Sequence, residues 1–132
     1  MRSKAQIRTR GARRTVRIRR AEHRPAPGEG VRVLVERQLP PGISREQAAI
    51  DLWLRDAAPS PALGSWYGHD PRRWPQFRRR YRLELMKRPE VLRLLDDLRR
   101  RTPVTLLHGA RDDVHNCAVV LRECLDRKGE RP

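Results

Sequence analysis

The sequence predicts a compact single α/β domain, with helices flanking a small, mostly parallel sheet. Three observations carry that expectation. Short strand-like runs stand at residues 15–20, 31–35 and 104–107. Apolar residues recur at helical spacing between residues 70 and 101. A strand–loop–helix unit spans residues 104–125. Strands interleaved with helices are the pattern of a layered α/β domain. The chain has 132 residues, enough to bury one core.

Residues 1–14 are polar, basic and without periodicity, the composition of a disordered arm. Thr15-Val16-Arg17-Ile18-Arg19-Arg20 alternates apolar and charged residues, as a half-buried edge strand does. Pro25, Pro27, Gly28 and Gly30 mark a loop. Val31-Arg32-Val33-Leu34-Val35 reads as a central strand, and Pro40-Pro41-Gly42 cannot continue a ladder. Ser44 and Gln47 have capping-box spacing, so a short helix is expected from there toward Ile50. Residues 51–54 read as a turn or a brief strand.

Residues 62–67 suit one or two helical turns, ended by Gly68. Asp70 before Pro71 suits an N-cap with proline at the first helical position. That helix is expected to reach about Lys87, with Trp74, Phe77, Tyr81, Leu85 and Met86 on one stripe. Pro89 opens the next helix, burying Val91, Leu92, Leu94, Leu95 and Leu98. It closes on Arg99-Arg100-Arg101, where cations complement the helix dipole. After the strand at 104–107 comes a loop at 108–113, and Asp113 is the expected N-cap of a last helix from Val114 to about Lys128. The domain is accordingly read as residues 15–128, preceded by the basic arm.

The formal charge is +15, and residues 1–30 carry ten Lys or Arg against Glu22 and Glu29. Half of the basic excess therefore sits at the start of the chain. Such an arm suits nucleic acid or another anionic surface. Only Lys4, Lys87 and Lys128 are lysines, which fits the plainer reading of an arginine-biased soluble tail. No apolar run is long enough to span a bilayer, and no secretory signal is evident, so the expected location is cytoplasmic, without a membrane partner. Cys117 and Cys124 are seven apart on one expected helix. That is roughly 10 Å of rise, too far for a disulfide.

Three segments resemble a known family. They are Asp51-Leu52-Trp53-Leu54-Arg55-Asp56-Ala57-Ala58-Pro59-Ser60, Trp66-Tyr67-Gly68-His69-Asp70-Pro71-Arg72-Arg73-Trp74, and Val104-Thr105-Leu106-Leu107 with His115-Asn116-Cys117-Ala118-Val119-Val120-Leu121. They are similar to the YeaO-like proteins of the domain-of-unknown-function 488 family, over roughly residues 15–127. The resemblance implies a soluble bacterial α/β domain and supplies no activity. The family typically reads aspartate-arginine-leucine-tryptophan-proline-arginine-glycine after its strand. Here the segment is Glu36-Arg37-Gln38-Leu39-Pro40-Pro41-Gly42, which keeps Arg37, Pro40 and Gly42. The family usually has histidine-asparagine-histidine where this chain has His115-Asn116-Cys117. If those positions carry a family activity, the resemblance implies that it is lost or altered here.

The strand–loop–helix at 104–125 is the first candidate site. Ligands of open α/β sheets bind beyond the carboxyl ends of strands, where helix N-termini attract anions. His108, Arg111, Asp112, His115, Asn116 and Cys117 could face that space. Cys117 in a first helical turn could have a lowered pKa and act as a nucleophile, with His115 beside it. The plainer alternative is a small buried apolar residue. A zinc site from His69, His108, His115 and Cys117 has suitable residue types, but His115 and Cys117 point apart on a helix. No metal site is assigned, and nothing names a cofactor. Trp66, His69 and Asp70, joined by Arg37 and Arg111, could form an anion pocket with two guanidinium forks. The structural alternative has Asp70 capping a helix, Trp66 packing, and Arg37 paired with Asp56 or Asp70. The functional expectation is a domain that binds or acts on a small anionic ligand. One alternative is a nucleic-acid accessory protein using the arm and the arginine-rich helix at 72–82. Another is a structural or regulatory protein without catalysis.

Overall fold

The computed structural model describes residues 14–130. The basic arm, apart from Arg14, lies outside the described residues. Four strands form one sheet: β1 (Arg17–Arg20), β2 (Val31–Leu34), β3 (Leu52–Trp53) and β4 (Val104–His108). Their order is β1-β4-β2-β3, and every pairing is parallel. Val33 stands opposite Leu106 on β4 and Leu52 on β3. The helices are α1 (Pro61–Tyr67), α2 (Trp74–Met86), α3 (Pro89–Arg101) and α4 (Cys117–Glu130). The chain is thus an α/β domain with a small parallel sheet, as its patterning predicts. Among the described residues no helix is long and apolar enough to cross a membrane.

The pleat divides the apolar residues between two cores. Val33, Val104 and Leu106 pack with Phe77, Tyr81, Leu95 and Leu121 on the helical side. Leu34 and Leu107, one residue out of phase, pack with Ala21, Ala48 and Ile50 under the loops of the other side. Covering on both faces explains why all of β4 is buried. Arg32 fastens the loop side. Its guanidinium donates to the carbonyls of Ala48 and His23 and pairs with Glu29 at 2.6 Å. Gly30 permits β2 to start beside β4: its φ is +69°, and a Cβ there would lie 2.0 Å from the Pro103 carbonyl oxygen.

Four local expectations change. The Ser44 capping box forms, with Gln47 N–H donating to Ser44 Oγ and Ser44 N–H donating to Gln47 Oε1, but residues 45–49 make only turns. Ala49 is left-handed at φ +51°, which stops the helix and sends the chain into β3. That short strand decides the ambiguity at 51–54. The helix expected from Pro71 opens as a 3₁₀ turn, Pro71–Arg73, capped by Asp70, before α2 begins at Trp74. Met86 and Leu94, both expected on buried stripes, are exposed.

The largest change is at α4, which starts at Cys117 rather than Val114. Asp112 Oδ1 accepts from the amides of both Val114 and His115, holding those residues in a turn. Asn116 Oδ1 then accepts from Val119 N–H, which is the N-cap bond. Asp113 instead pairs with Arg20.

Candidate functional site

A cavity of about 520 Å³ opens beyond the carboxyl ends of β2 and β4. Three stretches build it. The chain leaving β2 brings Glu36 and Arg37, the segment through α1 brings Pro59, Ser60, Tyr67 and His69, and the β4–α4 turn brings Gly109, Asn116 and Cys117. Backbone bonding holds the first stretch: Val35 N–H donates to the Leu107 carbonyl, and Trp53 Nε1–H donates to that of Glu36. Gly109 is forced by its neighbour, since a Cβ there would lie 2.9 Å from Pro40 Cγ. Ser60 caps α1 by accepting from Leu63 N–H, and its hydroxyl donates to Glu84.

Glu36 and Arg37 set the electrostatics. Glu36 Oε2 accepts from Gly109 N–H at 3.0 Å. Burial pushes its carboxyl above the ordinary range, while the Gly109 amide, the field of His69 and the neighbouring Cys117 thiol pull the other way. Arg37 reaches one acceptor, the Pro59 carbonyl, at 3.5 Å, and its Nε is buried without a partner. Neither Asp56 nor Asp70 pairs with it. Asp70 is held by Arg72 at 3.1 Å and Arg73 at 3.8 Å. Arg37 is therefore a guanidinium with no carboxylate partner among the described residues.

Cys117 lines the cavity but does not resemble a nucleophile. Its thiol donates to the Val35 carbonyl, and burial, reinforced by Glu36, raises its pKa well above the usual value. The lowering expected from a helix N-terminus is thus reversed, because loss of water outweighs the dipole. His115 does not approach the thiol as a base: its Nδ1 lies 2.8 Å from Asp112 Oδ2, and its ring meets Trp74 edge-on.

Of the other candidates, His69 and Asn116 line the cavity; Trp66, Asp70, His108 and Arg111 do not. His108 is 1% exposed, with Nδ1 accepting from Ala110 N–H. Trp66 lies under Arg80 and Arg73 at 4.5 and 5.3 Å. Arg111 is exposed, and its carbonyl accepts from Arg20. The two-fork pocket anchored by Arg37 and Arg111 is therefore not formed; Arg37 stands alone. Among the described residues, no three His, Cys, Asp or Glu side chains gather to hold a metal. Glu36 is the residue that sequence reasoning passed over. Its signal was present: it follows a central strand and stands where the resembled family has aspartate.

The inactive DUF488-N3 subclade matches residues 15–131. The chain belongs to that family. Its relatives in the family include uncharacterized protein Rv3073c of Mycobacterium tuberculosis, 36% identical over 111 residues, covering 84% of this chain and 93% of the relative. Uncharacterized protein YeaO of Escherichia coli is 32% identical over 97 residues, covering 74% and 84%. No solved structure matches.

Proposed function

We propose that this DUF488-N3 protein is a binding module for a small organic carboxylate and performs no covalent chemistry of its own. The observation that carries the reading is Arg37, a guanidinium at the wall of a 520 Å³ cavity whose Nε has no partner. Its one bond is a long contact to the Pro59 carbonyl at 3.5 Å, which leaves the guanidinium donors for an incoming carboxylate. Its two oxygens match the guanidinium fork. Glu36, which lines the same cavity, disfavours a dianionic phosphate. The protonated, buried thiol of Cys117 and the engagement of His115 with Asp112 argue against nucleophilic catalysis, in keeping with the word inactive in the subclade's description.

A nucleic-acid role has less support. Arg78 and Arg82 of α2 are held by Glu123, Arg72 by Asp70, and Arg73 and Arg80 rest on Trp66.

The test uses isotope-labelled protein titrated with 3-phenylpropanoate and followed by amide NMR. Saturable shifts are expected at Gly109 and Asn116. Arg37→Gln should weaken the affinity by about tenfold or more, since hydrogen bonds to charged groups contribute about 1.5–3 kcal/mol. Binding that is indifferent to Arg37, or no binding at tens of millimolar, refutes the reading.

A further inference from the structure

We propose that the ligand is a zwitterion, an α-amino acid with an apolar side chain, held by its carboxylate at Arg37 and its ammonium at Glu36. The inference rests on the carboxylate-binding reading above and goes one step beyond it. Glu36 and Arg37 are sequence neighbours that line the same cavity yet form no ion pair with each other. Each is turned toward a different wall. Glu36 bonds to Gly109 on the β4 side, and Arg37 reaches toward Pro59 on the α1 side. Opposite charges that line one cavity without pairing leave both to be completed by a guest carrying both signs.

The carboxyl has capacity for that guest. Oε2 is taken by the Gly109 amide, while an ionised carboxylate accepts at both oxygens. No Lys or Arg pairs with Glu36 among the described residues. Burial disfavours its charge, and an ammonium placed beside it restores the charged form. A simple carboxylate ligand would leave Glu36 without a partner of opposite charge.

Part of the remaining wall is apolar. Leu39, Pro40, Ala58, Pro59 and Phe77 line the same space, which is where a side chain projecting from the α-carbon would lie. The volume falls within the range of small-molecule sites, about 300–1,000 Å³.

The experiment compares three probes on the full chain at one fixed pH: L-phenylalanine, 3-phenylpropanoate and 2-phenylethylamine. They share the ring and its two-carbon chain and differ in which charged groups that chain carries. L-Phenylalanine is expected to bind about tenfold more tightly than 3-phenylpropanoate, the scale of one added charge-assisted hydrogen bond. Glu36→Gln should bring the ratio between these two ligands close to one, whereas Glu36→Asp, which keeps the charge, should preserve most of it. Arg37→Gln should weaken both. If 3-phenylpropanoate binds through Arg37 but L-phenylalanine binds no better, the zwitterion is overturned and the carboxylate reading stands. A ratio that survives Glu36→Gln also overturns it. If neither carboxylate binds, both readings fall.

Discussion

Acidification from pH 7 to pH 5 should cost this protein about 2 kcal/mol of folding stability through His108 alone. The ring closes the end of β4, where it is 1% exposed. Its Nδ1 accepts from the Ala110 amide, so a second ring proton would meet an N–H. Burial is the largest cause of its low pKa. Asp113 opposes the shift, and Arg20 and His23 add to it, bringing the imidazole from 6.5 down to about 4. The unfolded chain then binds the proton more readily than the folded one. The stability contributed by the neutral ring is complete above about pH 6.5 and is lost as the pH falls toward 4. Each pKa unit corresponds to about 1.4 kcal/mol. The interval from 6.5 to 5 therefore removes about 2 kcal/mol, and the full shift about 3 kcal/mol. Urea unfolding at both pH values, for the native protein and for His108→Asn, isolates the effect. Asparagine keeps an acceptor near the Nδ1 position but does not titrate. Other groups titrate in both proteins, so the difference between the two pH slopes is the readout. Equal slopes, or a His108 ring already protonated at pH 6 by NMR, would sink the reasoning.

Two further outcomes follow from buried groups. Cys117 should resist iodoacetamide in the folded protein and react only as the chain unfolds, because its thiol is buried and protonated; mass spectrometry showing labelling at the rate of an exposed thiol would restore the nucleophile. Arg99→Ala should destabilise by about 3–5 kcal/mol in a denaturant melt, since its buried guanidinium pairs with Asp96 at 2.8 Å and donates to the Leu125 carbonyl, joining α3 to α4; a loss below about 1 kcal/mol contradicts that role.

The elements that were legible were those whose instructions are local. Alternation at 15–20 gives an edge strand, and β-branched residues at 31–35 give an inner one. Asp70-Pro71 and Gly68 punctuate the helices around them. The places that misled were those where a local signal met a tertiary competitor. Ser44 and Gln47 closed their capping box, yet Ala49 is left-handed and the Ala48 carbonyl is taken by Arg32, so no helix followed. Asp112 took the His115 amide, one of those that Asp113 was expected to cap.

The sequence by itself determined the fold class and the family resemblance, because periodicity, caps and motifs act over a few residues. Only the tertiary structure decided which side chains meet at the candidate site. It placed Glu36 and Arg37 in the cavity, turned His115 toward Asp112, sealed His108 in the core and left Arg111 outside. The physical reason is that a side chain's direction depends on the register of its strand and on where its helix begins. A three-residue shift in the start of α4 makes Cys117 its first residue, against Val35 and Glu36, where burial rather than the helix dipole governs its chemistry.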